Sequence, residues 1–263
     1  MVTDMPTDKL WYKSWLETRW RFLIGLGLLT IVACGAVLDY LAVQKLMPLA
    51  SAIDASGEIG RRLKEAAEIQ SSYRGFVWWQ WFRQNLTQMG TLFAVLLGSG
   101  GLLTRASGGA ALFTLSLPVS RTQVLAVRAA TGLGELLVLA FVPSLLIPLL
   151  SPSIGQSYGV GDALVHSACV FVAAAVFFSL AFLLSTVFSD LWRPLLTACS
   201  VAVVLATGEL VVPAMSRYGI FRVMSAETHF RGGGLPWLGL LATTMLSAVM
   251  LYGAAVNIQR RDF

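Results

Sequence analysis

An all-α integral membrane fold with six transmembrane helices is predicted by three features of the sequence. Of its 263 residues, 56% are hydrophobic and 13% charged, where a soluble domain carries roughly 25% charged residues. A mean hydropathy of +0.72 excludes disorder, because disordered chains have too little apolar surface to offset the entropy of ordering. Apolar runs long enough to cross a bilayer, about 20 residues each, recur six times.

The elements follow in order. Residues 1–21 read as a cytoplasmic amphipathic helix in which Trp11, Tyr12, Trp15, Leu16 and Trp20 share one broad face while Lys9, Lys13, Glu17 and Arg21 stay wet. It is expected to lie along the inner membrane surface before turning into the first span. Spans are expected at 22–43, 86–103, 129–150, 164–188, 194–215 and 236–256, so that 22–257 forms one transmembrane domain and 258–263 a cytoplasmic tail. The first span is too long for a signal peptide and lacks a cleavage site. The second ends Gly-rich at Gly98, Gly100 and Gly101, and the third holds Pro143 and Pro148, where kinks are expected. Only Ser189 to Arg193 separate the fourth span from the fifth, so these two are antiparallel neighbours.

An extracytoplasmic helical segment is expected over 51–82. Glu58/Arg62, Arg61/Glu65 and Lys64/Glu68 are opposite charges four residues apart, as on a solvated helix. Such a helix either packs on the outer face of the bundle or caps a substrate. Phe76, Trp78, Trp79, Trp81 and Phe82 follow just before a span, which is where aromatic rings anchor at headgroup depth.

The net charge of +5 does not indicate a nucleic-acid partner, because the basic residues punctuate apolar runs as loops against anionic lipid headgroups do. Ten of the 19 Lys and Arg fall on the side that bears both termini. Setting aside Arg61, Arg62 and Lys64, which lie far from any span, tips the balance toward cytoplasmic termini. Cys34, Cys169 and Cys199 lie in apolar runs without metal-ligand spacing and read as small buried hydrophobes.

Motifs of catalysis are absent. None of the four lysines follows a phosphate-cradling Gly pattern, His166 and His229 lack HExxH spacing, and no GxSxG occurs. No catalytic residue, metal or cofactor is therefore expected in this chain. Three acids stand inside spans, where ionisable groups are costly: Asp39, Glu135 and Glu209. At about 1.5 Å per residue, Asp39 and Glu209 are roughly 25 Å and 22 Å from the inner ends of their spans, whereas Glu135 is only about 9 Å in. Each is either a carboxylate paired near an interface or part of a translocation path that takes cationic or zwitterionic cargo.

The connection 104–128 is the most specific stretch. A Gly-rich span end gives way to a short helix-competent segment, Gly109 to Leu117, which Pro118 stops; a new helix starts with Ser120 or Thr122 as its cap. Arg105, Arg121 and Arg128 have no compensating acid there, so the connection presents a basic knob to the cytoplasm. It is either a membrane-surface hairpin or a docking element for a soluble partner.

The run from Gly108 through Leu115, Ser116, Leu117, Pro118, Val119, Ser120 and Arg121 to Arg128 resembles the coupling segment of the type 2 ABC exporter permease family. Gln84 to Leu86 and the closing Gln259 to Phe263 also resemble relatives, so the likeness covers nearly the whole chain in span order. This chain has Thr104 and Ala106 where relatives often carry Glu, and Gly109 in place of a frequent Thr. The resemblance implies a six-span subunit in a prokaryotic cytoplasmic membrane. It further implies pairing with a second permease subunit, identical or homologous, and with two ATP-binding subunits that would hold ATP and Mg. Arg105, Gly108, Leu115 to Arg121 and Arg128 would then couple the chain to the ATPase. Two other classes are carried beside it: an integral-membrane protease or lipid transferase using Glu135, Glu209 and His166, and a membrane anchor or assembly factor without transport.

Overall fold

A computed structural model describes residues 7–51, 57–100, 121–188, 190, 192–212 and 219–260. Among them the chain is all-α. Five helices are long and apolar enough to cross a membrane, over Leu10–Lys45, Thr122–Ile154, Val160–Val187, Trp192–Val211 and Trp237–Arg260. The protein is membrane-embedded.

Helix α1 (Thr7–Ser51) runs unbroken for 45 residues. The N-terminal amphipathic segment and the first span are thus one helix, where a turn between them was expected. No Pro or Gly falls between Thr7 and Ile24, and helical hydrogen bonding propagates at little cost once begun. After α2 (Glu58–Gln70), α3 (Tyr73–Val77) passes into a π-helical stretch (Trp78–Leu86) and then α4 (Thr87–Gly98). Trp78, Leu86 and Thr87 at the junctions all have right-handed helical backbones, so Tyr73–Gly98 is one helical pass. It begins well before the expected span start at Leu86. Its π-helical part carries Arg83, Gln84 and Asn85, which keep it out of the apolar set.

Helix α5 (Arg121–Leu150) continues through Pro143 and Pro148, and a single 3-10 turn (Ser151–Ile154) ends it. Then come α6 (Val160–Val187), α7 (Trp192–Val211), two short helices α8 (Ile220–Met224) and α9 (Glu227–Phe230), and α10 (Trp237–Arg260).

Side-chain contacts fix the direction of each pass. Arg21 of α1 donates to the Leu96 carbonyl oxygen at 2.8 Å, and Tyr40 meets Tyr73 with ring centroids 4.9 Å apart. The Tyr73–Gly98 pass is therefore antiparallel to α1 over about 28 Å of helix. The Tyr73 hydroxyl lies 2.7 Å from Ser151 Oγ at the end of α5, while Thr18 and Glu135 meet near the starts of α1 and α5, so these two run in parallel. Phe82 faces His166 and Gly98 faces Phe178, which makes α6 parallel to the Tyr73–Gly98 pass. Asn257 of α10 donates to the Thr186 carbonyl oxygen at 3.1 Å. Two ends result: the Gly100 end, with the starts of α1 and α5 and the ends of α4, α6 and α10, and the Tyr158 end, with the opposite termini.

The core runs along α6. Ala163, Val170, Ala173, Ala174, Phe177, Phe178 and Ala181 are buried there, with the His166 part against Phe82 and the Phe178–Ala181 part against Gly98. The small residues allow close approach, as in helix packing within membranes. A Cβ added at Gly98 would run into the Phe178 carbonyl oxygen. By contrast α7 and α10 leave Val203, Val204, Leu210, Leu238, Met245 and Tyr252 exposed, apolar surface that hydrocarbon can cover.

The cluster expected to anchor at headgroup depth is instead interior. Phe76, Trp78, Trp81 and Phe82 are all buried. Trp81 Nε1 donates to Ser144 Oγ at 3.0 Å and Trp78 Nε1 to the Ser225 carbonyl oxygen at 2.8 Å. Protein groups rather than lipid headgroups satisfy the indoles.

Candidate functional site

At the Gly100 end, the residues of the connection expected to couple, Arg105, Gly108, Leu115, Ser116, Leu117, Pro118, Val119 and Ser120, lie outside the described residues. Arg121 opens α5. The base of the connection is described: a Cβ on Gly100 would meet the Arg128 guanidinium, with the Arg21 guanidinium 3.6 Å away. Two arginines from α1 and α5 thus gather where the chain leaves α4. Arg128 was singled out from the sequence; Arg21 was read only as the wet side of an amphipathic helix.

The three acids in spans do not form one group. Glu135 is buried at the α1–α5 seam and bonded to Thr18. Asp39 is exposed on α1. Glu209, near the end of α7, accepts from the Phe221 backbone N–H at 3.1 Å and so caps the start of α8. A Cβ on Gly219 would strike the Glu209 carboxylate, so glycine there lets the carboxylate reach the helix N-terminus, where negative charge is favoured.

At the Tyr158 end a polar cluster forms that the sequence reading did not assemble. Asp162 and His166 are four apart on α6, a spacing that puts them on one helix face, and Tyr158 lies in the connection just before the helix. Asp162 holds Arg74 Nε at 3.0 Å, and His229 Nε2 at 3.5 Å. The imidazoles of His166 and His229 stand edge to face, centroids 5.6 Å apart. His166 is fully buried. Both its ring nitrogens, the Tyr158 hydroxyl and His229 Nε2 have no hydrogen-bond partner among the described residues. Burial pushes the Tyr158 phenol above its ordinary range, and the Asp162 charge adds to it. The spacing along α6 was visible in the sequence, but His229 enters from a distant loop.

An ionic belt ties the loops of this end together. Arg231 donates to Glu65 of α2 at 3.1 Å and to Glu227 of α9 at 2.9 Å, and Arg222 pairs with Glu227 at 3.3 Å. Arg83 lies over the Trp79 ring at 4.3 Å, a cation–π contact. These links fasten α2 and the α8–α9 segment over the ends of the passes. Among the described residues, no three His, Cys, Asp or Glu side chains are placed to hold a metal ion.

The geometry does not assemble the catalytic trio of the enzyme alternative. Glu135 lies toward the Gly100 end, His166 belongs to the Tyr158 end, and Glu209 is engaged in capping. Comparisons with protein-family models, with curated proteins and with solved structures find no match to this chain.

Proposed function

We propose that this chain is the transmembrane permease subunit of an ABC exporter, moving a substrate out across a prokaryotic cytoplasmic membrane with energy from two separate ATP-binding subunits. The chain performs no catalysis of its own, and a second permease subunit, identical or homologous, completes the pore. In this reading the Tyr73–Gly98 pass is the sixth crossing, both termini are cytoplasmic, and the Gly100 end faces the ATPase.

One observation carries the reading: Arg21 and Arg128 converge on Gly100, the last described residue before the sequence that holds the Leu115-to-Arg121 motif. A connection that starts between two basic side chains suits an acidic groove on a soluble partner. Gly98 stands backbone to backbone with Phe178, so a push on the connection passes into α6 without a side chain to absorb it. Interiors packed this closely transmit displacement. ATP binding drives the cycle only if the partner's closed state prefers one tilt of these helices over the other.

The test is coupling. Arg121→Glu, or Pro118→Ala with Ser120→Asp, should leave membrane insertion intact and break the link between ATP hydrolysis and transport. Variants that keep the ATPase bound and transport normally would refute the assignment.

A further inference from the structure

The α1–α5 seam holds a carboxyl group whose surroundings suit only one of its two protonation states. Glu135 is 5% exposed and Ser14, one turn before Thr18 on α1, is 8% exposed. Glu135 Oε1 is in hydrogen-bond contact with Thr18 Oγ1, while Glu135 Oε2 and Ser14 Oγ have no partner among the described residues. No Lys or Arg in the described residues forms an ion pair with this carboxyl. Among the described residues, the ionisable groups of the elements around it make no hydrogen bond or ion pair with it. Arg21 is bonded to the Leu96 carbonyl oxygen and Arg128 stands at Gly100; the Arg19 guanidinium lies over the Trp20 ring, its buried Nε without a hydrogen-bond partner among the described residues and not paired with Glu135. Glu17 has its own interactions. Helix α4 carries no ionisable residue; α6 carries Asp162, His166 and Cys169 in its first half, toward the Tyr158 end, and α10 carries Tyr252 and the terminal Arg260.

The hydrogen count decides between the states. Thr18 Oγ1 has one proton to donate and three acceptors in reach: Glu135 Oε1, the Ser14 carbonyl oxygen at 3.3 Å and the Trp15 carbonyl oxygen at 3.4 Å. With Glu135 ionised, that proton goes to Oε1, and Oε2 remains a bare charged oxygen inside the bundle, which is among the costliest arrangements in a membrane interior. With Glu135 protonated, its O–H donates to Thr18 Oγ1, the Thr18 proton turns to the Ser14 carbonyl oxygen, and the charge is gone. A metal cation fits less well, since among the described residues Thr18 Oγ1 is the one other side-chain oxygen bonded to the carboxyl.

We infer that the Glu135 and Thr18 pair is a proton-binding site, in which a neutral Glu135 carboxyl closes the seam between α1 and α5. Loss of the proton favours movement of the carboxylate toward water at the Gly100 end, and the two helices part. This does not depend on the transport reading.

Infrared difference spectra of the full chain in lipid at neutral pH, wild type against Glu135→Gln, test it. The expected result is a C=O band of a protonated carboxylic acid in the wild type, lost in Glu135→Gln and shifted in frequency in Thr18→Val. The Thr18→Val shift serves alone if the Gln variant does not fold, because only a carboxyl bonded to Thr18 responds. A difference spectrum that shows carboxylate bands, a band indifferent to both substitutions, or thermal stabilisation by sodium or potassium that Glu135→Gln abolishes would overturn the inference.

Discussion

The Trp78 indole lies flat on the Phe230 ring, centroids 4.2 Å apart and planes 5° from parallel, so the start of the Tyr73–Gly98 pass is clamped to the loop before the last helix. Trp78 is wholly buried and its N–H is satisfied. Trp78→Ala removes the stack, the hydrogen bond and a large core side chain, a change that costs about 3–5 kcal/mol. Thermal unfolding in detergent should show a large fall in midpoint. An unchanged midpoint would mean the clamp contributes nothing.

The ionic belt should behave differently. Arg231 and Glu65 pair at 3.1 Å with side chains 49% and 56% exposed, and exposed pairs contribute about 0–1 kcal/mol. A double-mutant cycle on Arg231→Ala and Glu65→Ala should return a coupling energy below about 1 kcal/mol that shrinks further in high salt. A coupling of several kcal/mol would show that α2 is held far more tightly than solvent-exposed charges allow.

Gly98→Val tests the close approach to α6. An added Cβ meets the backbone oxygen of Phe178, which cannot rotate away, so the helices must separate. Overpacking of this kind costs about 1–3 kcal/mol, and the midpoint should fall accordingly. In the transport reading, export activity falls too. Full stability in Gly98→Val would show that the two helices can move apart freely.

Orientation is checked by labelling. With Cys34, Cys169 and Cys199 replaced, Ser153→Cys at the Tyr158 end and Gln259→Cys at the Gly100 end each present one exposed thiol. A membrane-impermeant maleimide should label the first in intact cells and the second only after permeabilisation. The opposite pattern would invert the bundle and remove the ATPase from the Gly100 end.

Five of the six expected spans correspond to helices of spanning length because unbroken apolar runs carry that signal alone. The other expected span, 86–103, falls on a helix that already starts at Tyr73 and is not apolar enough along its length to count among the five. Its aromatic and polar residues look interfacial in sequence, yet Trp78 and Trp81 find their partners in Ser225 and Ser144, which no local pattern shows. The same limit applies to Glu209: its partners are backbone N–H groups of α8, which any sequence would present. The Tyr158 cluster was half visible, as a four-residue spacing on α6; His229 and Arg74 reach it only through the tertiary fold.

The most direct measurement places a photo-crosslinking residue at Ser116 of the full chain in its native membrane and identifies the adduct by mass spectrometry. A P-loop ATPase captured at that position is the expected result. Adducts to lipid alone, or to a protein on the outer side of the membrane, would contradict a chain driven from its Gly100 end.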